Sequence, residues 1–390
     1  MSFRRLRLAP FPAIAGLLLP ALARAQTPTV RVGGRAQAMY RFSWGDSSNQ
    51  YNTTALNNGF EIRRLRIQAD VRLADNVLLV IQPSFEMAAL RMRDAYVRLG
   101  LSPHVGVTIG QEKSPFQRYE FTSSNNLPSI ERGVRIYGLT GKEGLNDILV
   151  NNGYAAQDLG AFVDGDFLDR RVFVKAGVSN GSRESSLDVN NAKSFFGRVA
   201  LTPLVNAGNQ PVLQIGAAIA ARDRAVCAVC TGAVTYFADS SKMTTAFALD
   251  VEVGGFRPGF HLIADLATGD NVPLPLRVNT GRFNNGNLRN SADSNVVTFR
   301  GASVIGAYRV ETRGSETRLV RAVEPALRVD YTDPNTNVAG DHGILLTPVL
   351  NLYFSATTLM RAGVDFYSYK DALGASRTAQ EFKLMWQASF

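Results

Sequence analysis

From residue 30 to residue 44 the chain trades apolar for polar side chains one position at a time. Val30, Val32, Ala36, Ala38, Tyr40 and Phe42 share one parity, and Arg31, Arg35, Gln37, Arg41 and Ser43 share the other. A period of two over this length predicts a strand with one apolar and one polar face. The next such stretch alternates Leu65, Ile67, Ala69, Val71 and Leu73 with Arg64, Arg66, Gln68, Asp70 and Arg72. Phe60 and Ile62 precede it on the opposite parity, which predicts a bulge near Arg63-Arg64 that aims both guanidinium groups inward. The same pattern predicts further strands near 77–86, 90–101, 104–112, 156–165, 170–181, 194–202, 212–224, 242–254 and 256–268. It continues near 296–311, 317–331, 341–354, 358–369 and 378–390, for about sixteen strands in all.

The connections alternate in length. Those at 74–76, 100–103, 166–169, 254–255, 312–316 and 355–356 are short, and 203–211 is the longest of that class. Those at 45–59, 113–155, 182–193, 225–241 and 269–295 are long. Tight turns at one end and long loops at the other, with an even number of strands, are the plan of a bacterial outer-membrane barrel. On that plan the apolar parity faces lipid and the arginines face water. The segment 113–155 is polar and has no period. A connection of that length inside a compact domain usually carries function, and we read it as a loop that falls back into the barrel and narrows its pore. In the last strand Phe382, Leu384, Trp386, Ala388 and Phe390 share one parity, against Lys383, Met385, Gln387 and Ser389. An alternating final strand with an aromatic last residue is similar to the assembly signal of outer-membrane proteins.

The first 25 residues carry a different pattern. Arg4, Arg5 and Arg7 precede an apolar run over 8–22, and Ala23-Arg24-Ala25 fits the small-x-small cleavage rule, so residues 1–25 read as an export signal. A membrane anchor is the other reading, but the run is shorter than the ~20 apolar residues that a spanning helix needs. The mature chain, 26–390, has no stretch of that length, although 45% of all residues are apolar. This excludes a helical membrane protein and leaves a soluble β-protein or a transmembrane barrel. The formal charge of +9 shrinks once Arg4, Arg5, Arg7 and Arg24 leave with the signal, so that 38 basic residues face 33 acidic ones. That bias is too weak to argue nucleic-acid binding and would suit a lumen that favours anions. Cys227 and Cys230 are the only cysteines. In an exported chain they read as a short loop disulfide or as two oxidisable thiols. His104, His261 and His342 are scattered, so neither a metal site nor a cofactor is expected.

Phe60-Glu61-Ile62-Arg63-Arg64, Asp94-Ala95, the Gly110 to Phe116 spacing, Ser123-Ser124 and Glu131-Arg132 follow one another in an order that resembles the phosphate-selective porin O and P family. Weaker similarity continues through Asp158-Leu159-Gly160, Gly197-Arg198-Val199 and Asn351-Leu352-Tyr353. The resemblance implies a trimeric, sixteen-stranded outer-membrane porin whose third loop folds inward. It also implies a central phosphate site at Arg63, Arg64, Asp94, Ser123, Ser124 and Arg132. Lys113, at the base of the loop, either lines the pore or caps the loop. The chemistry is coherent, because guanidinium forks take oxyanions in paired, charge-assisted bonds and serine hydroxyls add donors. An ionised carboxylate such as Asp94 can only accept, and would favour an anion that still carries a proton. The chain departs from the family pattern where Glu120 and Phe121 precede Thr122, and Glu112, Glu120 and Glu131 place three acids in or beside the loop. Inward arginines elsewhere (Arg35, Arg66, Arg98, Arg198, Arg222, Arg328 and Arg361) are offset by Asp70, Asp250, Glu252, Asp265, Glu324 and Asp365.

The expected function is passive diffusion of small anionic solutes across the outer membrane, with phosphate or polyphosphate as candidates and selectivity set by pore width and wall charge. The expected partners are outer-membrane lipid, small anions and two further copies of the chain. A weakly selective general pore is the alternative. A surface adhesin or a barrel enzyme is the alternative of a different class. For the enzyme, no histidine can be drawn beside a candidate serine in any strand pairing.

Overall fold

The structure is a computed structural model. It describes residues 27–45, 58–86, 89–136, 139, 143–181, 184, 188, 191–231, 234–255, 258–272, 277–280, 283–288, 296–312, 314, 318–370 and 374–390, without side chains at 224–241 and 277–288. The strands in chain order are β1 (Thr29–Gly45), β2 (Asn58–Ala74), β3 (Val77–Glu86), β4 (Ala89–Gly100), β5 (Val105–Lys113), β6 (Gln157–Phe167), β7 (Val172–Ser179), β8 (Ser194–Val205) and β9 (Pro211–Thr231). They continue with β10 (Val234–Val253), β11 (Gly259–Asn271), β12 (Arg277–Thr280), β13 (Phe283–Leu288), β14 (Val297–Glu311), β15 (Ala322–Asp333), β16 (Gly343–Tyr353), β17 (Thr358–Lys370) and β18 (Ser376–Ser389). Two short helices, α1 (Arg118–Phe121) and α2 (Leu145–Asn151), lie between β5 and β6.

Sixteen of these strands form a closed antiparallel barrel. β1 pairs with β2 on one side and with β18 on the other, so the ring has no free edge to recruit another chain. β11 pairs directly with β14. β12 and β13 form a small hairpin within the loop between those two strands, and Leu288 of β13 pairs with Val226 of β9. The expected loop at 225–241 is therefore corrected, because there the backbones of β9 and β10 stay paired beyond the wall, from Ala225↔Ser241 to Thr231↔Val234. The expected export signal, the connection at 46–57 and the side chains of Cys227 and Cys230 lie outside the described residues.

Parity decides which face each residue takes. Val30, Val32, Ile67, Leu249, Leu266, Tyr308 and Trp386 are exposed on the outer wall, while Arg35, Gln37, Met39, Lys383, Met385 and Gln387 are buried on the inner one. The bulge falls where the pattern placed it. Gln37 pairs with Arg64 and Ala38 with Ile62, so Arg63 is the extra residue and both arginines turn inward.

The loop from β5 to β6 folds into the lumen. Its apolar residues meet four patches of wall. Phe116, Leu145, Ile148, Leu149 and Tyr154 pack on Ala218, Ala220, Ala246, Ala248, Ala267 and Phe299. Tyr119 and Leu127 meet Ile263 and Ile305. Ile130 meets Met39, Val349 and Met385, and Val134 and Ile136 meet Leu345, Tyr367 and Tyr369. In the largest cluster the wall is mostly alanine and the loop is bulky, so small residues on the strands make room for helix α2. Truncating Leu149, which has no exposed surface, should cost about 2–5 kcal/mol, seen as a lower unfolding midpoint of the detergent-solubilised barrel. Ala246→Leu puts a larger group into the same fully buried spot and should expel α2. The expected signs are new protease cleavage within 113–155 and a larger single-channel conductance, and neither would appear if the loop did not pack there.

Candidate functional site

A loop buried in a lumen leaves backbone carbonyls in need of donors, and the barrel wall supplies them as arginines. Arg328 on β15 donates through Nη1 to the carbonyls of Glu131 (2.8 Å) and Gly133 (3.4 Å) and through Nη2 to that of Arg132, and it also pairs with Asp330. Arg361 on β17 donates through Nη1 to Ser124 and Ser129 (both 3.3 Å) and through Nη2 to Asn125 (2.8 Å). Arg198 on β8 reaches the Phe116 carbonyl at 3.2 Å while forking onto Asp250. Asn351 on β16 holds the Pro128 carbonyl at 3.0 Å. The reverse contact also occurs, since Arg118 of α1 reaches out to Glu252 on β10. Three of the inward arginines read as offsets of wall acids thus tie the loop to the wall.

The residues carried over from the family pattern gather at the loop but are not open. Arg63 and Arg64 converge on Glu131 of the loop. Arg63 grips it through Nε and Nη2, the latter at 2.9 Å, and Arg64 Nη2 reaches Oε2 at 2.9 Å. Arg64 Nη1 donates to Gln37 at 2.9 Å. Arg63 Nη1 has no partner. Lys113 pairs with Glu120 at 3.2 Å and also donates to its carbonyl, so it ties down the base of the loop. Arg132 lies 3.4 Å from Glu120 and donates to the carbonyls of Tyr119 (3.4 Å) and Thr122. Asp94 stands apart from this group on β4, accepting only a long 3.5 Å bond from Gln157. Ser123 is exposed and accepts from Arg35 Nη1 at 3.0 Å, while Ser124 is buried with its hydroxyl unpartnered.

Two acids of the loop, Glu120 and Glu131, stay charged, whereas burial pushes Asp147 up to about 6. Burial raises the Glu120 carboxyl, but Lys113, Arg132 and Arg93, with a hydrogen bond from Asn146, outweigh it and bring the group down to about 2. Glu131 is likewise raised by burial, and the charges of Arg63 and Arg64 hold it well below the usual carboxylate range. Three of the acids in and around the loop each serve more than one base. Glu131 takes Arg63, Arg64 and Arg135, Glu120 takes Lys113 and Arg132, Glu184 takes Arg91 and Arg93, and Glu86 takes Arg66. Four carboxylates are thus shared among eight cations in these described pairs. Arg35, which bonds only to Ser123 and Asn125, adds a cation, and Asp94 adds an acid. Among these groups, sequence reasoning missed Asn125, Glu86, Glu184, Arg91, Arg93 and Arg135 as site residues. Arg63-Arg64 and Glu131 lie far apart in the chain, and their pairing depends on how the loop folds.

A family model described as phosphate-selective porin O and P matches residues 30–229. No curated protein shows a matching sequence. Among solved structures, the chain is similar in fold to the outer-membrane channel DcaP of Acinetobacter baumannii, with a TM-score of 0.58 and 12% identity over 93% of this chain and 97% of that one. It is also similar to an anion-selective porin from Comamonas acidovorans, with a TM-score of 0.57 and 11% identity over 93% and 100%. OmpT, an outer membrane protein of Vibrio cholerae, gives a TM-score of 0.54 and 12% identity over 94% and 99%. Family membership makes the chain a channel rather than an enzyme. With its model matched over more than half the sequence and its closed sixteen-stranded wall in view, the chain belongs to the phosphate-selective porin O and P family, the barrel porins of the bacterial outer membrane.

Proposed function

We propose that this porin lets small anionic solutes, phosphate among them, diffuse passively past the inward loop, and that it works as a homotrimer. The observation that carries the reading is the set of described pairs on and around the loop in which four carboxylates are shared among eight cations, a surplus that outlasts the addition of the loop's own Glu143 and Asp147. In a narrow passage an uncompensated charge acts through less water than in an open pore. A pair about 4 Å apart is worth ~1 kcal/mol in water and ~4 kcal/mol at an effective dielectric near 20. The trimer has support from the fold, since OmpT of Vibrio cholerae is described in a trimer form.

A second reading, a general pore with weak preference among anions, is favoured by one specific contact. Glu131 already occupies the forks of Arg63 and Arg64, which the family pattern assigns to phosphate. On this reading Glu131 is a resident competitor, and phosphate gains those forks only by displacing it.

The reversal potential in a KCl gradient tests the first reading directly. It should report anion preference, and cation preference would sink the proposal. Arg63→Ala should lower the anion-to-cation permeability ratio by about fivefold, the equivalent of ~1 kcal/mol. Glu131→Gln should raise it by a similar factor and make phosphate a stronger blocker of chloride current. An unchanged phosphate block in Glu131→Gln would show that those forks are not on the anion path. One part of the pH dependence follows from Glu120 and Glu131. Their folded values are depressed, so their stabilising pairs are fully present above the unfolded carboxylate range near ~4.3 and are lost as pH falls through the folded values. That value is about 2 for Glu120. These two ties should therefore hold from neutral pH down to about pH 4 and loosen only in stronger acid, and any change in conductance steps above pH 4 should trace to Asp147, whose carboxyl burial pushes up to about 6.

A further inference from the structure

A cavity of about 330 Å³ lies between the inward loop and the short-turn end of the barrel, lined by the start of β1, the end of β18, part of β2 and the loop residues Ser123 and Asn125. Three arginines face it, Arg31, Arg35 and Arg66. Arg35 and Arg66 stand directly opposite one another in the β1–β2 register, an arrangement of like charges that destabilises a sheet unless something compensates. Arg66 turns away to Glu86. Arg35 has no such acid. It is 7% exposed, and its Nη1 donates to Ser123 Oγ and Asn125 Oδ1, each at 3.0 Å. Its Nε has no partner, which leaves the side-on edge of the guanidinium unused.

Gly33, on the inner parity of β1, and its neighbour Gly34 lie along one side of the cavity. A Cβ on Gly34 would come within 2.6 Å of both the Arg66 carbonyl and the Phe390 ring, and one on Gly33 within 3.1 Å of the Phe390 carbonyl. Backbone and the Phe390 ring thus close this side of the cavity. Asp70 sits on the rim, its Oδ1 accepting from Gln68 at 2.8 Å.

We infer that this cavity is a binding station for small monocarboxylates, separate from the Arg63-Arg64 group, with the Arg35 side-on edge as its anchor. Two planar oxygens match that edge. The volume falls at the small end of the range of about 300–1,000 Å³ that ligand sites occupy, which suits a short organic acid. Asp70 repels a second negative charge, so a dianion such as sulfate is disfavoured. The inference rests on the reading of the lumen as an anion path.

The test uses the purified full-length porin in planar bilayers, with propionate and sulfate as probes added on the short-turn side. Propionate should reduce chloride current in a saturating manner, and sulfate should not. Arg35→Gln should raise the half-blocking propionate concentration by about tenfold or more, equivalent to ~1.4 kcal/mol or more. Should that variant not insert, Arg35→Lys keeps the charge without the fork and should lose the block in the same way. Asp70→Asn should let sulfate block as well. A propionate effect that never saturates, a block indifferent to both Arg35 variants, or sulfate matching propionate in the wild type would each overturn the station. Cation preference in the wild-type reversal potential would instead overturn the anion path itself, whereas anion preference without a saturating propionate block removes only the station.

Discussion

A charged side chain removed from water costs several kcal/mol unless it is paired and its remaining hydrogen-bonding groups are met. The interior of this barrel is built under that constraint. Its inner parity carries arginines on most strands, and the loop fills enough of the lumen to bury many of them. Arg328, Arg361 and Arg198 meet the constraint by donating to loop carbonyls, and the loop meets its own need for donors through the same bonds. Wall and loop are therefore solutions to each other's desolvation. Removing one guanidinium would strand several carbonyls, which is costlier than the loss of a single surface ion pair.

Charge alone would not position the loop. Ion pairs between long side chains tolerate shifts of an ångström, whereas close-packed apolar groups do not. The alanine strip over β9 to β11 sets the depth to which α2 sinks, and Tyr154 stacks between Phe116 and Phe299. With α2 fixed at one end and Ile130 wedged against Met39, Val349 and Met385 at the other, the intervening residues are placed well enough for Glu131 to reach both Arg63 and Arg64. Packing supplies the register and electrostatics use it.

The wall was legible in the sequence because lipid and water impose a period of two that survives every local substitution. Even the bulge at Arg63 showed as a slip of parity between Ile62 and Leu65. The loop was legible as a loop, through its length and lack of period, but its partners were not. Inward apolar residues such as Met39, Met385 and Leu345 sat on the polar parity as isolated exceptions, and nothing local marks them as a docking surface. The same holds for the candidate site. Arg63, Arg64 and Arg132 could be named from a resemblance, and the acids near them could be counted. That Glu131 rather than Asp94 meets the arginine pair depends on contacts between residues some 68 apart in the chain, which no periodicity encodes. The paired backbones at 225–241 were missed for the opposite reason. Their composition lacks the alternation of a lipid-facing strand, because outside the bilayer nothing imposes it.

A pore that holds its solute tightly conducts slowly, so each station must be attractive enough to enter and shallow enough to leave. On the proposed reading, shared carboxylates supply that balance. Glu131 is held by Arg63, Arg64 and more loosely by Arg135 at 3.8 Å. An anion that arrives at one of these guanidinium groups need break only one arm of the cluster while the others hold the loop in place. The gain from binding is reduced by the arm given up, and on departure the carboxylate returns to it. A guanidinium pair with no resident acid would form a deeper well and a slower exit. A fully neutralised pair would offer no well at all. Three bases on Glu131 and two on Glu120 lie between those limits, and they let the same contacts that fix the loop also lower the barrier to leaving it.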